Sequence, residues 1–313
     1  MLGVSAFPPT EPGQFIQISC RAGEPEYHTD REFTWPGDCP PALQDAVGPE
    51  LSGPLAVLRR PFSLAGRRDT SDGVELDIIH RVVGVGTGWL SRLRQGDPVD
   101  ILGPLGNRFS LPPPGGTALL VGGGVGIPPM LYLADALGRL PGRRSVAFAG
   151  ALTRDLLPLT IEQSAPPTDD ASPSMSIAEF ARHNIPAVIS TDDGSYGYRG
   201  FVTQALEKHL DAVGFSREHP FATSDDPANA NPIVYTCGPE PMMKRVAEIA
   251  ATHGLECQVA VERAMACGMG TCQSCCIRVR KPDPAAPPLA GREWCYRLAC
   301  TDGPVFKGAD LLW

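Results

Sequence analysis

Four cysteines near the C-terminal end of the chain have the spacing of a metal site: Cys267-x4-Cys272-x2-Cys275, then Cys300 after a further 24 residues. Three thiols on one Gly-rich loop, CGMGTCQSC, with a fourth from a separate segment, make the plant-type 2Fe-2S pattern. Gly268 and Gly270 let the loop backbone approach closely, so that its N–H groups can hydrogen-bond the sulfurs. Zinc is the alternative, but structural zinc sites draw on two short Cys pairs rather than three thiols of one loop. Cys295 competes with Cys300 for the fourth place, and the alternation along CIRVR puts Cys276 inside as a small buried residue. With four ligand positions filled, none is open to a substrate, and the chemistry expected is electron relay.

Four other motifs have the composition of cofactor cradles. Arg59-Arg60-Pro61-Phe62-Ser63 ends a predicted strand, and an Arg fork beside a rigid Pro and a hydroxyl can hold a ring edge and a phosphate. Gly84-Val85-Gly86-Thr87 precedes a helical run and offers N–H groups to a pyrophosphate. Val121-Gly122-Gly123-Gly124-Val125-Gly126-Ile127-Pro128 has a strand before it and a helix after it, which is the context of a nucleotide-phosphate turn. It departs from G-x-G-x-x-G in carrying Pro128 at the last glycine position. Thr236-Cys237-Gly238-Pro239 follows the strand PIVY, at a carboxyl end of the sheet, where open α/β folds bind ligands. Each of these turns also occurs as plain structure, so no one of them decides the matter alone.

The elements needed to position these residues can be read from the punctuation. From residue 12 to 109 short β-rich runs (13–20, 53–65, 73–84, 97–106) alternate with Gly, Pro and Asp, predicting a small antiparallel barrel. Residues 24–54, rich in Pro, read as a loop inserted between two of its strands. LPPPGG at 111–116 is a hinge, after which strand, Gly-rich turn and helix follow each other. That rhythm is a βαβ unit and predicts a parallel sheet. Strands are expected at 117–121, 145–150, 187–193 and 232–238, with helices near 201–213 and 239–253. Residues 162–176 and 217–232 read as surface loops. The resulting fold class is a multi-domain β plus α/β protein, with a barrel over 1–112, an α/β domain over 113–254 and a small Cys module over 255–313.

Composition narrows the classes of function. The 313 residues carry 27 Lys+Arg against 35 Asp+Glu, a net charge of −8, which disfavours nucleic acid or an anionic membrane as partner. No run of 18 uncharged apolar residues suggests a membrane span, and the first 15 residues lack a signal-peptide pattern. Six of the ten Cys fall within residues 267–300, a cluster that reads as metal binding in a cytoplasmic protein rather than as cross-links.

Taken together the motifs resemble the ferredoxin–NADP reductase superfamily. Within it they are most similar to the electron-transfer subunits of class B, NAD-linked dihydroorotate dehydrogenases. LRRPFSLA (58–65), HRVVGVGTGWLSRLRQGDPVDILGPLGNRF (80–109), ERAMACGMGTCQSCCIRV (262–279) and CTDGPVF (300–306) carry the resemblance, with GGGVGIPP and YTCGPEPMM in support. It implies FAD held at Arg60, Pro61, Phe62, Ser63, Ile79, His80, Arg81, Gly86 and Thr87. Cluster ligands are implied at Cys267, Cys272, Cys275 and Cys300, the following DGPVF favouring Cys300 over Cys295. NAD would meet the turns at Gly122, Gly123, Gly124 and Gly126 and at Cys237, Gly238 and Pro239. The sequence departs from the family pattern in its short N-terminal stretch, its long gap before Cys300, and His80 where an aromatic is common.

The resemblance further implies electrons passing from the reduced FMN of a catalytic partner through 2Fe-2S and FAD to NAD+, in pyrimidine (UMP) biosynthesis. Substrate oxidation on a TIM barrel would need roughly 250 residues that this chain lacks, so a heterotetramer of two of each subunit is expected. No general acid or base is required of this chain. The rival readings are a reductase subunit of another iron–sulfur flavoprotein, of the ferredoxin-oxidoreductase or hydrogenase-diaphorase type, and a non-catalytic zinc-stapled binding protein.

Overall fold

The computed structural model describes residues 2–4, 6–20, 58–163, 168–213, 232–280 and 293–313. The insertion expected at 24–54, the start of the run at 53–65, most of the loop at 217–232 and the stretch KPDPAAPPLA (281–290) lie outside the described residues.

The N-terminal part is two three-stranded antiparallel sheets closed around one core. One sheet has the order β1 (Leu2–Val4), β5 (Gly73–Asp77), β4 (Gly66–Thr70). The other has β3 (Arg60–Ser63), β2 (Phe15–Ile18), β6 (Ile101–Leu105). The chain passes from one sheet to the other at Leu64 and Ala65, whose N–H groups donate to Gln14 and Asp77 carbonyls at 3.3 and 2.8 Å. Ile16, Ile18, Phe62, Leu64, Val74 and Leu76 fill the space between them. Two of the six strands, β1 and β4, are absent from the sequence expectation. β4 reads Gly-Arg-Arg-Asp-Thr, with no apolar face, and is held by pairing with β5 and by ion pairs from Arg68 to Glu75 and Asp77. A short helix, α1 (Val85–Leu90), separates β5 from β6.

The second part is a parallel sheet built from β7 (Thr117–Gly123), β8 (Arg144–Ala151), β9 (Ala187–Thr191), β10 (Tyr198–Arg199), β11 (Ile233–Cys237) and β12 (Glu256–Ala260). Its spatial order is β10-β9-β8-β7-β11-β12, with every pair parallel. β7 is buried on both faces after its first residue, as the continuous apolar run TALLV demands of a central parallel strand. Around the sheet lie α2 (Ile127–Gly138), the one-turn α3 (Ala178–Ala181), α4 (Val202–Ala212) and α5 (Glu240–Thr252). α2 is buried over most of its length because the barrel packs on it as well. Its Tyr132 joins the barrel core and donates to the Thr10 carbonyl at 2.8 Å. The segment expected as a surface loop at 162–176 is partly packed, with Ala171 and Ser176 buried and Ile161 bridging Ile177.

The C-terminal part is a hairpin, β13 (Cys276–Arg280) with β14 (Trp294–Leu298), followed by β15 (Val305–Lys307). β15 adds antiparallel to β12, so the end of the chain completes a seven-stranded sheet. The alternation expected along CIRVR is present with the opposite phase. Ile277 and Val279 are buried and Cys276 is exposed, a correction to the sequence expectation. The phase follows from the core, where Ile277 and Val279 join Cys275, Ala299 and Leu311.

One side chain makes several hydrogen bonds between this last part and the barrel. Asn107, just after β6, donates through Nδ2 to the Asp302 and Val305 carbonyls at 3.0 and 2.9 Å. Its Oδ1 accepts from Val305 N–H at 2.8 Å, and its own N–H donates to the Gly303 carbonyl at 2.6 Å. Removing the carboxamide takes the partner from three backbone groups, of which the two of Val305 are part-buried and that of Asp302 is exposed. Asn107→Ala is therefore expected to cost about 2 kcal/mol, measured as a lower thermal midpoint of the purified holoprotein. An unchanged midpoint would mean that β12–β15 pairing alone holds the segment.

Candidate functional site

A cavity of about 830 Å³ opens where the barrel meets the carboxyl ends of the parallel strands. Ile79, His80 and Arg81, from the chain beyond β5, line one wall. Gly123 and Gly124 after β7, Gly150 and Ala151 at the end of β8, Asp192 after β9, and Pro239 with Met242 at the start of α5 line the others. The structure thus brings together residues drawn from three of the predicted motifs. Phe62 of β3 meets the His80 ring edge-on, with centroids 6.2 Å apart, which links the Arg-Pro-Phe-Ser strand to the same wall. Phe62 itself is buried in the barrel, while Arg60, Pro61 and Ser63 are half-buried.

Gly122, Gly126, Cys237 and Gly238 lie outside the cavity lining. They form the seam between two turns. A Cβ on Gly126 would sit 2.1 Å from the Cys237 carbonyl oxygen, and one on Gly238 would meet Gly123 backbone at 2.9 Å. The missing side chains at Gly126 and Gly238 let the turn after β7 and the turn after β11 pack together. Cys237 is enclosed, and burial pushes its thiol well above the ordinary range, so it stays protonated. Pro128 and Pro129 remove two N–H donors from the first turn of α2, leaving the turn Gly124–Gly126 to supply amides to an anion. Gly86 and Thr87 sit on α1, away from the cavity lining. Thr87 Oγ1 accepts from the Val83 and Gly84 N–H groups at 3.0 and 3.1 Å, so the amides left over belong to the first turn, residues 85–87.

The cysteines form a second centre. Cys267 and Cys272 make one pair: the Cys272 and Met269 N–H groups donate to Cys267 Sγ at 3.3 and 3.4 Å. Ser274 Oγ lies 3.2 Å from Cys272 Sγ, and this hydrogen bond, with the backbone donors, brings the Cys272 thiol down to about 6. Cys275 and Cys300 make the other pair, both 2% exposed. Burial first, then the hydrogen bond and charge of Cys275, push the Cys300 thiol up to about 11. Cys295 instead faces Val279 in the hairpin register. Among the described residues no three His, Cys, Asp or Glu side chains converge as a single metal ion requires. Two thiol pairs, three of the thiols on a loop whose Gly268 and Gly270 adopt φ of +70° and +85° and the fourth from beyond β14, suit a two-iron cluster.

Three residues that the sequence reading passed over belong to these centres. Asp192 was inside a predicted strand, AVISTDD, and its place at a carboxyl end was the available signal. Asn107 sat in a quoted motif with no role attached. Gln17, a polar residue in an apolar strand, is wholly buried.

The chain is similar to several known proteins. Residues 262–312 match the iron-sulfur cluster binding domain of dihydroorotate dehydrogenase B. The chain is 35% identical over 265 residues to the electron transfer subunit of dihydroorotate dehydrogenase B (NAD(+)) of Geobacillus thermodenitrificans, covering 84% of this chain and 82% of that one. With the corresponding subunit of Streptococcus mutans it shares 32% over 259 residues, 82% and 81% of the two chains. Among solved structures, an NADH-dependent reduced ferredoxin–NADP oxidoreductase that performs flavin-based electron bifurcation superposes with a TM-score of 0.60 at 26% identity. It covers 97% of this chain and 80% of that one.

The seam yields a prediction. Gly126→Ala forces the two turns apart and is expected to destabilise the protein by about 1–3 kcal/mol while weakening NADH binding. Both are measured on one preparation, by thermal unfolding and by NADH titration. Full NADH affinity in a stable variant would show that the seam tolerates a methyl group.

Proposed function

Since this chain belongs to the electron-transfer subunits of dihydroorotate dehydrogenase B, we propose that it is the NAD-linked redox arm of an enzyme whose substrate is oxidised on another chain. The observation that carries the proposal is the pair of centres in one chain: a cavity shared by barrel and parallel sheet, and a paired-cysteine loop packed against the same barrel. When bound, the cofactors would supply a two-to-one electron conversion: 2Fe-2S would take single electrons from the reduced FMN of a catalytic partner, and FAD, holding two of them and a proton taken up from solvent, would give a hydride to NAD+.

The chain's own residues position the carriers. Arg60, Pro61, Phe62 and Ser63 on β3, with Ile79, His80 and Arg81, hold the flavin, and the first turn of α1 at Gly86 and Thr87 takes its pyrophosphate. NAD enters the cavity against Gly122, Gly123, Gly124 and Gly126 and against Cys237, Gly238 and Pro239. Of these, the buried ones act by shaping the two turns. Cys267 with Cys272, and Cys275 with Cys300, hold the cluster; the contact between Cys275 and Cys300 supports Cys300 over Cys295. Nothing in this scheme requires a side chain to transfer a proton. The functional units are taken as 1–112 for FAD, 113–254 for NAD and 255–313 for the cluster.

The partner is a catalytic dihydroorotate dehydrogenase chain holding FMN, two of each chain forming a heterotetramer in the cytoplasm that serves pyrimidine biosynthesis. No helix among the described residues is long and apolar enough to cross a membrane. The bifurcating oxidoreductase is related in fold, but the higher identity and the matched cluster domain favour the dihydroorotate dehydrogenase B reading.

The test is the visible spectrum of anaerobically purified protein before and after NADH, with iron and labile sulfide assayed. Flavin bands and an iron–sulfur shoulder that both bleach are expected; a colourless, zinc-containing protein would overturn the proposal. Asp192 bears on the choice of nucleotide. A carboxylate in the cavity wall can accept from a ribose diol and repels a 2′-phosphate. Asp192→Ser is expected to lower the NADH over NADPH preference in kcat/KM at least about tenfold, or about 1.4 kcal/mol, with ferricyanide as acceptor. An unchanged ratio would place the discrimination elsewhere.

A further inference from the structure

Gln17 lies at the centre of β2, paired with Pro61 of β3 and Leu102 of β6. Side chains alternate along a strand. Ile16 and Ile18 point into the barrel core, so Phe15 and Gln17 point out of it. That outer face is covered rather than solvated. Phe15 belongs to the core that includes Cys275, Ala299 and Cys300, and Gln17 is 0% exposed.

What covers Gln17 is the cysteine loop. A Cβ on Gly268 would lie 2.7 Å from the carboxamide Cδ and Oε1 and 3.0 Å from Nε2. The absence of a side chain there, at a left-handed φ of +70°, lets the backbone next to Cys267 settle on the amide. Yet neither Nε2 nor Oε1 of Gln17 has a hydrogen-bond partner among the described residues. A buried carboxamide with both ends unpaired is a rare and costly arrangement unless a further group supplies a partner. Apolar side chains of similar size would fit a dry interface better. The neighbouring residue Cys267 is one of the thiols that hold the cluster, so the group missing beside this amide is rich in sulfur acceptors.

We infer that Gln17 is a positioning residue whose Nε2–H group donates to a sulfur of the 2Fe-2S site, fixing the cluster against the strand that neighbours the flavin-holding Arg60–Ser63 strand. This rests on the proposed cluster. A hydrogen bond to sulfur stabilises the additional negative charge of the reduced state, so it raises the reduction potential. A residue that merely fills space would leave that potential unchanged.

The experiment uses the full chain with its cofactors. Gln17→Leu and, as a more flexible replacement, Gln17→Met are compared with wild type by iron, sulfide and flavin content and by EPR-monitored redox titration of the cluster. The expected result is wild-type cofactor content with a cluster midpoint shifted to more negative potential. In wild-type protein labelled with 15N only at the glutamine side chain, electron spin echo modulation of the reduced cluster should show a nitrogen coupling that Gln17→Leu lacks. If both variants lose their cofactors, the same measurement on labelled Gln273→Asn protein decides the matter, since that variant removes the glutamine of the cysteine loop itself: a coupling that persists supports Gln17, and its loss overturns the inference. Full cofactor content with an unchanged midpoint, or no glutamine coupling in wild type, would overturn the inference alone. Absence of iron and sulfide from wild type would overturn the proposed function as well.

Discussion

The arrangement depends on one constraint: the C-terminal segment must return to the barrel and stay there. Carriers of single electrons work only at short separation, and the cysteine loop belongs to the end of the chain while the strand proposed to hold the flavin belongs to its beginning. Asn107 meets that constraint by satisfying one N–H and two carbonyls of residues 302–305 with a single carboxamide. The same return sets β15 on the edge of the parallel sheet and brings Phe15, Cys275 and Cys300 into one core. Barrel, sheet and cysteine loop are therefore not three beads on a string but three surfaces of a continuous packing.

The cavity follows the same logic of close approach. Its walls come from two kinds of sheet, and two of them, the turns after β7 and β11, are joined outside the lining by the seam where Gly126 lies against the Cys237 carbonyl. A glycine there exchanges side-chain volume for proximity between two turns, which a nucleotide bound at the carboxyl ends of parallel strands requires. Nothing on these walls is arranged as an acid–base pair. The enclosed Cys237 thiol is kept neutral by burial, and the polar groups facing the cavity are suited to binding and orientation. The protein supplies geometry and leaves bond-making to cofactors.

The cysteine loop shows how local and remote structure share a task. Its N–H donors to Cys267 come from within the loop, and its left-handed glycines make that turn possible. The second thiol pair needs a residue 25 positions away and a hairpin to deliver it. Gln17 arrives from farther still, 250 residues earlier in the chain.

What was legible in the sequence is what local rules control. The x4, x2 spacing of three cysteines, the strand–glycine–helix rhythm after residue 116 and the apolar runs of β7, β9 and β11 each express a backbone geometry that a few neighbouring residues dictate. The strands β1, β4 and β15 were not legible, because their stability comes from partners rather than composition. β4 has no apolar face at all, and β15 forms only because the chain returns to β12. Alternation along CIRVR revealed a period of two but not its phase, which the core around Val279 chose, leaving Cys276 outside. Likewise the glutamine in the strand FIQI carries no local sign of its burial. Its burial depends on a backbone loop that only the tertiary structure lays over it, and no local pattern in the chain could have announced that contact.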